Sequence, residues 1–82
     1  MRYCVELKPK ALKDLESIPK EDVIRIYERL RMLEDDLHGD VKKLTDFTPE
    51  YRMRAGNYRA LFEVEGDRVI IYRIIHRKES YR

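Results

Sequence analysis

An 82-residue chain has room for one domain, spanning 1–82, because two cores would each fall below the size that folds unaided. Charged residues make up 41% and hydrophobic residues 43%; apolar residues recur throughout but never in a run of roughly 18, which excludes a disordered chain and a membrane-spanning helix. The single cysteine, Cys4, excludes an internal disulfide or a CxxC metal clamp, and a charged opening segment without a secretory signal gives a cytoplasmic location as the expectation.

The net charge of +2 conceals a division. Residues 1–40 hold eight Lys/Arg and ten Asp/Glu, whereas residues 41–82 hold ten and six. The halves therefore differ in sign, −2 against +4, and the second is expected to face an anion.

In chain order, Tyr3 to Lys8 alternates as a half-buried strand. Pro9 suits the first position of a helix, since its missing N–H costs nothing there. Ala11, Leu12, Leu15 and Ile18 recur at helical spacing up to Pro19. A second helix opens near Lys20, with Glu21 and Asp22 favourable at its positive end. Its apolar stripe runs through Val23, Ile24, Ile26, Tyr27, Leu30, Leu33 and Leu37, and His38-Gly39 is the expected stop. A weak strand starts near Val41. Three stronger ones follow, Tyr51 to Ala55, Tyr58 to Val64 and Arg68 to Ile75, separated by Gly56-Asn57 and Gly66-Asp67. Both pairs are two-residue hairpin signals. The expected fold class is α+β in two layers: an N-terminal strand and helical hairpin on a mainly antiparallel sheet, in the order β-α-α-β-β-β. Cys4 is expected to be a small buried hydrophobe in the first strand.

If Gly56-Asn57 is a two-residue loop, Arg54 pairs with Arg59, Met53 with Ala60 and Arg52 with Leu61. Paired residues share a face, so Arg52, Arg54 and Arg59 converge on one surface while Tyr51, Met53, Ala60 and Phe62 occupy the other. Opposing two like charges costs about 0.2–1 kcal/mol. Three converging guanidiniums without an interleaved acid suit a polyanion, because the arginine fork fits phosphate bidentately. Extending the second hairpin regularly from Glu65 opposite Arg68 sets Arg59 opposite Ile74. That register puts Tyr72 and His76 on the arginine face, and Arg73 and Arg77 on the other unless a bulge or the strand's end re-aims them. His76, the only histidine of the segment, is its candidate base. Two histidines and one cysteine, widely spaced, make no zinc site, so no metal or cofactor is expected.

The segment Tyr51-Arg52-Met53-Arg54-Ala55-Gly56-Asn57-Tyr58-Arg59, followed by a strand and His76-Arg77-Lys78-Glu79-Ser80-Tyr81-Arg82, resembles the RelE/ParE superfamily of bacterial and archaeal toxins, and the RelE branch most. The early helical hairpin is similar too. The resemblance implies a RelE-like, microbial-ribonuclease-like fold and a metal-independent endoribonuclease that cuts messenger RNA on the ribosome, held in check by a cognate antitoxin. Arg52 and Arg54 match the family's paired basic positions, Arg59 its phosphate-holding arginine, Arg77 its C-terminal arginine and Tyr81 the tyrosine that orients or stacks on a base. Lys42, Lys43, Arg73, Lys78 and Arg82 are candidate RNA contacts. One departure concerns Arg54. The family often has lysine at the two basic positions, the second assigned as general base, and arginine, with a pKa above about 12, is a poor proton acceptor. A non-enzymatic ParE-like inhibitor of DNA gyrase and a simple nucleic-acid-binding module are the alternatives.

Overall fold

The computed structural model describes residues 2–37, 41–43 and 49–79. Its elements are β1 (Cys4–Leu7), α1 (Pro9–Glu16), α2 (Lys20–Leu33), β2 (Val41–Lys43), β3 (Tyr51–Ala55), β4 (Tyr58–Glu65) and β5 (Arg68–His76). The class is α+β as expected, with the weak segment at Val41 forming a strand. The five strands lie in the order β1-β5-β4-β3-β2. β1 runs parallel to β5 while the other neighbours are antiparallel, so the sheet is mixed.

One face of the sheet is covered by the helices. Ala11 and Leu15 of α1 and Ile26, Leu30 and Leu33 of α2 pack with Met53, Ala55, Ala60, Phe62, Val69, Ile71 and Ile74 in one cluster. The helical stripe is narrower than the apolar residues of α2 suggest. Val23, Ile26, Leu30 and Leu33 complete one face at three-to-four spacing, which leaves Ile24 and Tyr27 turned outward and 53% and 43% exposed. α2 also ends earlier than expected. The Tyr3 amide donates to the Glu34 carbonyl at 2.8 Å and Arg2 bridges Asp35, drawing the chain back beside β1. Asp36 and Leu37 then take positive φ, which ends the α-helical path. His38-Gly39, the expected stop, lies outside the described residues. Cys4 is exposed rather than buried, because the strand period sends Val5 and Leu7 to the helices and Cys4 and Glu6 to the opposite, outer face.

The main departure from the expected register is in β5. Glu65 pairs with Arg68 and Phe62 with Ile71, but Leu61 pairs with Arg73, so Tyr72 is an extra residue at a β-bulge. Tyr72 is held on the outer face: Lys8 Nζ lies 5.8 Å from its ring centroid, and burial together with a hydrogen bond to Glu63 raises the phenol above its usual pKa range. Beyond the bulge every β5 residue faces opposite to the regular expectation.

α1 is fastened to the far half of β5 by Asp14. Its carboxylate accepts from Arg73 Nε at 2.8 Å, Arg73 Nη2 at 3.2 Å and the Ile74 amide at 2.9 Å. Burial pushes this carboxyl up, yet the Arg73 guanidinium, the Ile74 amide and Lys10 outweigh it and hold the pKa below the ordinary value. A depressed carboxyl lends stability that is complete above the usual carboxylate range of about 4 and is lost as pH falls through its lowered folded value. Asp14→Asn is therefore expected to cost about 1–3 kcal/mol at neutral pH. Urea unfolding should show the gap between variant and parent closing as acid protonates Asp14.

Candidate nucleic-acid interface

The β3–β4 pairing matches the sequence expectation: Arg54 opposes Arg59, Met53 opposes Ala60 and Arg52 opposes Leu61. Gly56 has φ +62° while Asn57 is not among the positive-φ residues, the pattern of a two-residue turn with glycine at its first central position. Two rows then cross the outer face. Lys42 pairs with Arg52, Arg52 with Leu61 and Leu61 with Arg73; nearer the turn, Arg54 pairs with Arg59 and Arg59 with Ile75. Directly paired Cα atoms are about 4.5–5.5 Å apart, so the cationic side chains share one compact region.

The bulge decides which β5 residues join them. Arg73 and Ile75 are on the arginine face, and Arg77, two residues further, follows on that side. The Arg77 amide donates to the Asn57 carbonyl at 2.8 Å, continuing the ladder past the end of β5 and fixing the backbone of Arg77 beside the Gly56 turn. Arg54, Gly56, Arg59 and Arg77 line a cleft of about 160 Å³, a volume suited to a phosphate group rather than a whole nucleotide. Arg59, 2% exposed, is the buried charged side chain of the described residues. Arg54, Arg59 and Arg77 each interact with other groups of the chain, as a buried cation must.

The same bulge moves His76 away from this face. Its partner is Tyr58, whose ring it meets edge-on at 5.2 Å and 82°; the expectation of His76 among the arginines is corrected by that one extra residue. Arg73 reaches the right face but is bound bidentately by Asp14, so its charge is compensated by α1. Lys43 pairs with Tyr51, which sets it on the helix side, 4.0 Å from Glu50 and 5.9 Å from the Tyr51 ring centroid, whereas Lys42 is on the arginine face. Lys78 is exposed in the turn after β5. Tyr81 and Arg82 lie outside the described residues.

The other end of the outer face carries its own counter-charges. Arg68 donates twice to Glu6 Oε2, at 3.0 and 2.7 Å, and lies 3.8 Å from Glu65. Cations and anions alternate there. Arg25 of α2 was not foreseen: a Cβ on Gly56 would come within 3.2 Å of Arg25 Cδ and Nη1, so this cation stands over the turn that borders the cleft. No signal in its own helix marks it, since only tertiary packing brings α2 to the β3–β4 turn. Among the described residues no group of three or more His, Cys, Asp or Glu could hold a metal ion, and no helix is long and apolar enough to cross a membrane.

The fold coincides with that of known proteins. Residues 5–81 match the family described as the ParE toxin of the type II toxin–antitoxin system parDE. Toxin RelE3 of Methanocaldococcus jannaschii is 35% identical over 79 residues, covering 85% of each chain. Among solved structures, the RelB–RelE antitoxin–toxin complex from Methanococcus jannaschii contains a chain 33% identical, with a TM-score of 0.75 and coverage of 92% of this chain and 93% of that one. The archaeal RelE–RelB complex from Pyrococcus horikoshii OT3 gives 30%, 0.74, 94% and 97%. The chain belongs to the RelE/ParE family of type II toxins.

Proposed function

We propose that this toxin is an endoribonuclease that cuts messenger RNA on the ribosome, using its arginine face to hold the scissile phosphate. The observation that carries the reading is the Arg54–Arg59 pair with Arg77 closing the same cleft. A phosphate held between two directly opposed guanidiniums accepts from both and offsets their mutual repulsion. The archaeal RelE relatives support it.

Cleavage without metal proceeds by attack of the ribose 2′-hydroxyl on its own phosphorus, giving a 2′,3′-cyclic phosphate and a free 5′-hydroxyl. Negative charge grows on the equatorial oxygens, and fixed cations aimed there are the largest available source of rate. Arg52, Arg54 and Arg59 serve those oxygens, and Arg77 donates to the leaving 5′ oxygen. None of these accepts the 2′ proton, because arginine stays protonated; that proton passes to solvent water, and water returns one to the 5′ oxygen that Arg77 holds. The protein's share is thus electrostatic and positional, in-line placement of the hydroxyl being itself worth several powers of ten. Lys42 contacts backbone phosphate, and Tyr81 stacks on a base.

The family description, which names ParE, favours a second reading, a gyrase inhibitor without nuclease activity. Cleavage on programmed ribosomes beside a supercoiling assay separates them. The nuclease cuts mRNA and loses that activity when Arg52, Arg59 and Arg77 become alanine; the inhibitor leaves mRNA intact and arrests supercoiling. RNA binding should also weaken with salt, and each phosphate-contacting arginine removed should lower the log–log salt slope by about 1.

The partner is an antitoxin, as in the complexes of the related archaeal toxins with RelB. Leu12, Ile24 and Tyr27 are exposed apolar side chains, and a groove lined by Val5, Leu7, Tyr27, Leu30, Arg31 and Glu34 runs beside β1. Both suit an apolar segment laid across the toxin.

A further inference from the structure

His76 does not reach the arginine face, yet it touches the backbone that delivers Arg77 to it. Its ring is wedged edge-on against Tyr58 of β4. Its Nδ1 accepts the Lys78 amide at 3.2 Å. Between these residues the Arg77 amide donates to the Asn57 carbonyl at 2.8 Å. The residue on either side of Arg77 is thus tied to the other through the imidazole, and Arg77 itself is tied to the β3–β4 turn. We infer that His76 is a positioning residue for Arg77: its neutral Nδ1 closes the turn at 77–78 and so aims the Arg77 guanidinium into the cleft with Arg54 and Arg59. The inference rests on the nuclease reading for its effect on rate, though not for the hydrogen bond itself.

The bond requires a lone pair on Nδ1. A protonated imidazole bears N–H groups on both nitrogens and accepts at neither, so acid opens the turn. The cleft that His76 lines also carries Asp14 of α1, Ser17 just past the end of that helix, Tyr58 from β4, Arg73 on β5 itself and Glu79 beyond it. Asp14 is already engaged by Arg73 and the Ile74 amide, and the Ser17 hydroxyl donates to the Asp14 carbonyl at 3.0 Å. The Asp14 carboxyl is held below its ordinary value, so it stays ionised well into acid.

Three variants of the full chain and one spectrum test this. Asparagine places an acceptor oxygen near Nδ1, whereas glutamine places it further out. His76→Ala and His76→Gln are expected to lower ribosomal mRNA cleavage about 10- to 100-fold through misplacement of Arg77, and His76→Asn to restore most of it. Wild-type cleavage should fall as acid protonates His76, while the Asn variant, on the same ribosomes, stays level. In the ¹⁵N-labelled wild-type chain the Lys78 amide resonance should move with the ionisation of His76, and this movement should vanish in His76→Asn. An Asn variant as slow as Ala, or a Lys78 amide indifferent to His76 ionisation, overturns the inference. If the wild-type chain cuts no mRNA, the nuclease reading fails, and the amide titration alone still decides whether His76 closes the turn.

Discussion

Arg59→Ala should lower cleavage of mRNA on programmed ribosomes about 100- to 1,000-fold, the usual cost of losing one preorganised donor to a developing oxyanion. Arg59 stands at the middle of its row, opposite Arg54 on one side and Ile75 on the other, and it lines the cleft with Arg77. Its burial in that cleft excludes competing water and strengthens its pull on phosphate charge. Arg59→Lys should recover only part of the loss, because an ammonium supplies a point charge without the bidentate fork. Burial also means that truncation perturbs packing, so urea unfolding of each variant must accompany the rates. A loss of cleavage in a variant of unchanged stability assigns the effect to the site. Cleavage within severalfold of the parent would remove Arg59 from the mechanism.

The largest effect on stability is expected at Phe62. It is fully buried and stacks on Tyr51 with ring centroids 5.4 Å apart and planes 14° apart. Phe62→Ala should cost about 3–5 kcal/mol, the transfer energy of the ring plus the cavity it leaves. Domains hold only about 5–15 kcal/mol in total, so the variant should unfold at a much lower urea concentration. Phe62 also has a bearing on the site, since Phe62–Ile71 is the last regular pair before the bulge that follows at Leu61. Loosening it frees β5 to slip by one residue, which would turn Arg77 to the wrong face. Cleavage is therefore expected to fall further than the unfolded fraction alone explains. An unfolding midpoint close to that of the parent would contradict the packing described here.

Much of this was legible in the sequence for local reasons. Gly56-Asn57 encodes a two-residue hairpin, and that loop length alone sets Arg54 opposite Arg59 and Arg52 beside them. The alternation in Tyr51 to Phe62 separates the arginine face from the core face without reference to the rest of the chain. The bulge was not legible. Tyr72 sits in a nearly continuous run of β-branched and aromatic residues, where a regular register and one with an extra residue satisfy the apolar pattern equally. The choice depends on contacts from distant segments: Lys8 over Tyr72, and Asp14 on Arg73 and the Ile74 amide. His76 and Arg77 exchange faces as a result. Arg25 escaped notice for the same kind of reason, since its neighbour Gly56 is remote in sequence. The exposure of Ile24 and Tyr27 shows the limit of a broad apolar stripe, which fixes a helix but not how much of its circumference the sheet covers.

The central claim is that the clustered guanidiniums hold a ribose–phosphate linkage as its own 2′-hydroxyl cuts it. The most direct test is end-group analysis of mRNA cut on programmed ribosomes, run beside an otherwise identical message carrying a single 2′-deoxynucleotide at the cut site. The account predicts a 5′-hydroxyl on the downstream fragment, a 2′,3′-cyclic phosphate on the upstream one, and no cut at the deoxy position. Continued cutting at that position, or a 5′-phosphate on the downstream fragment, would contradict it.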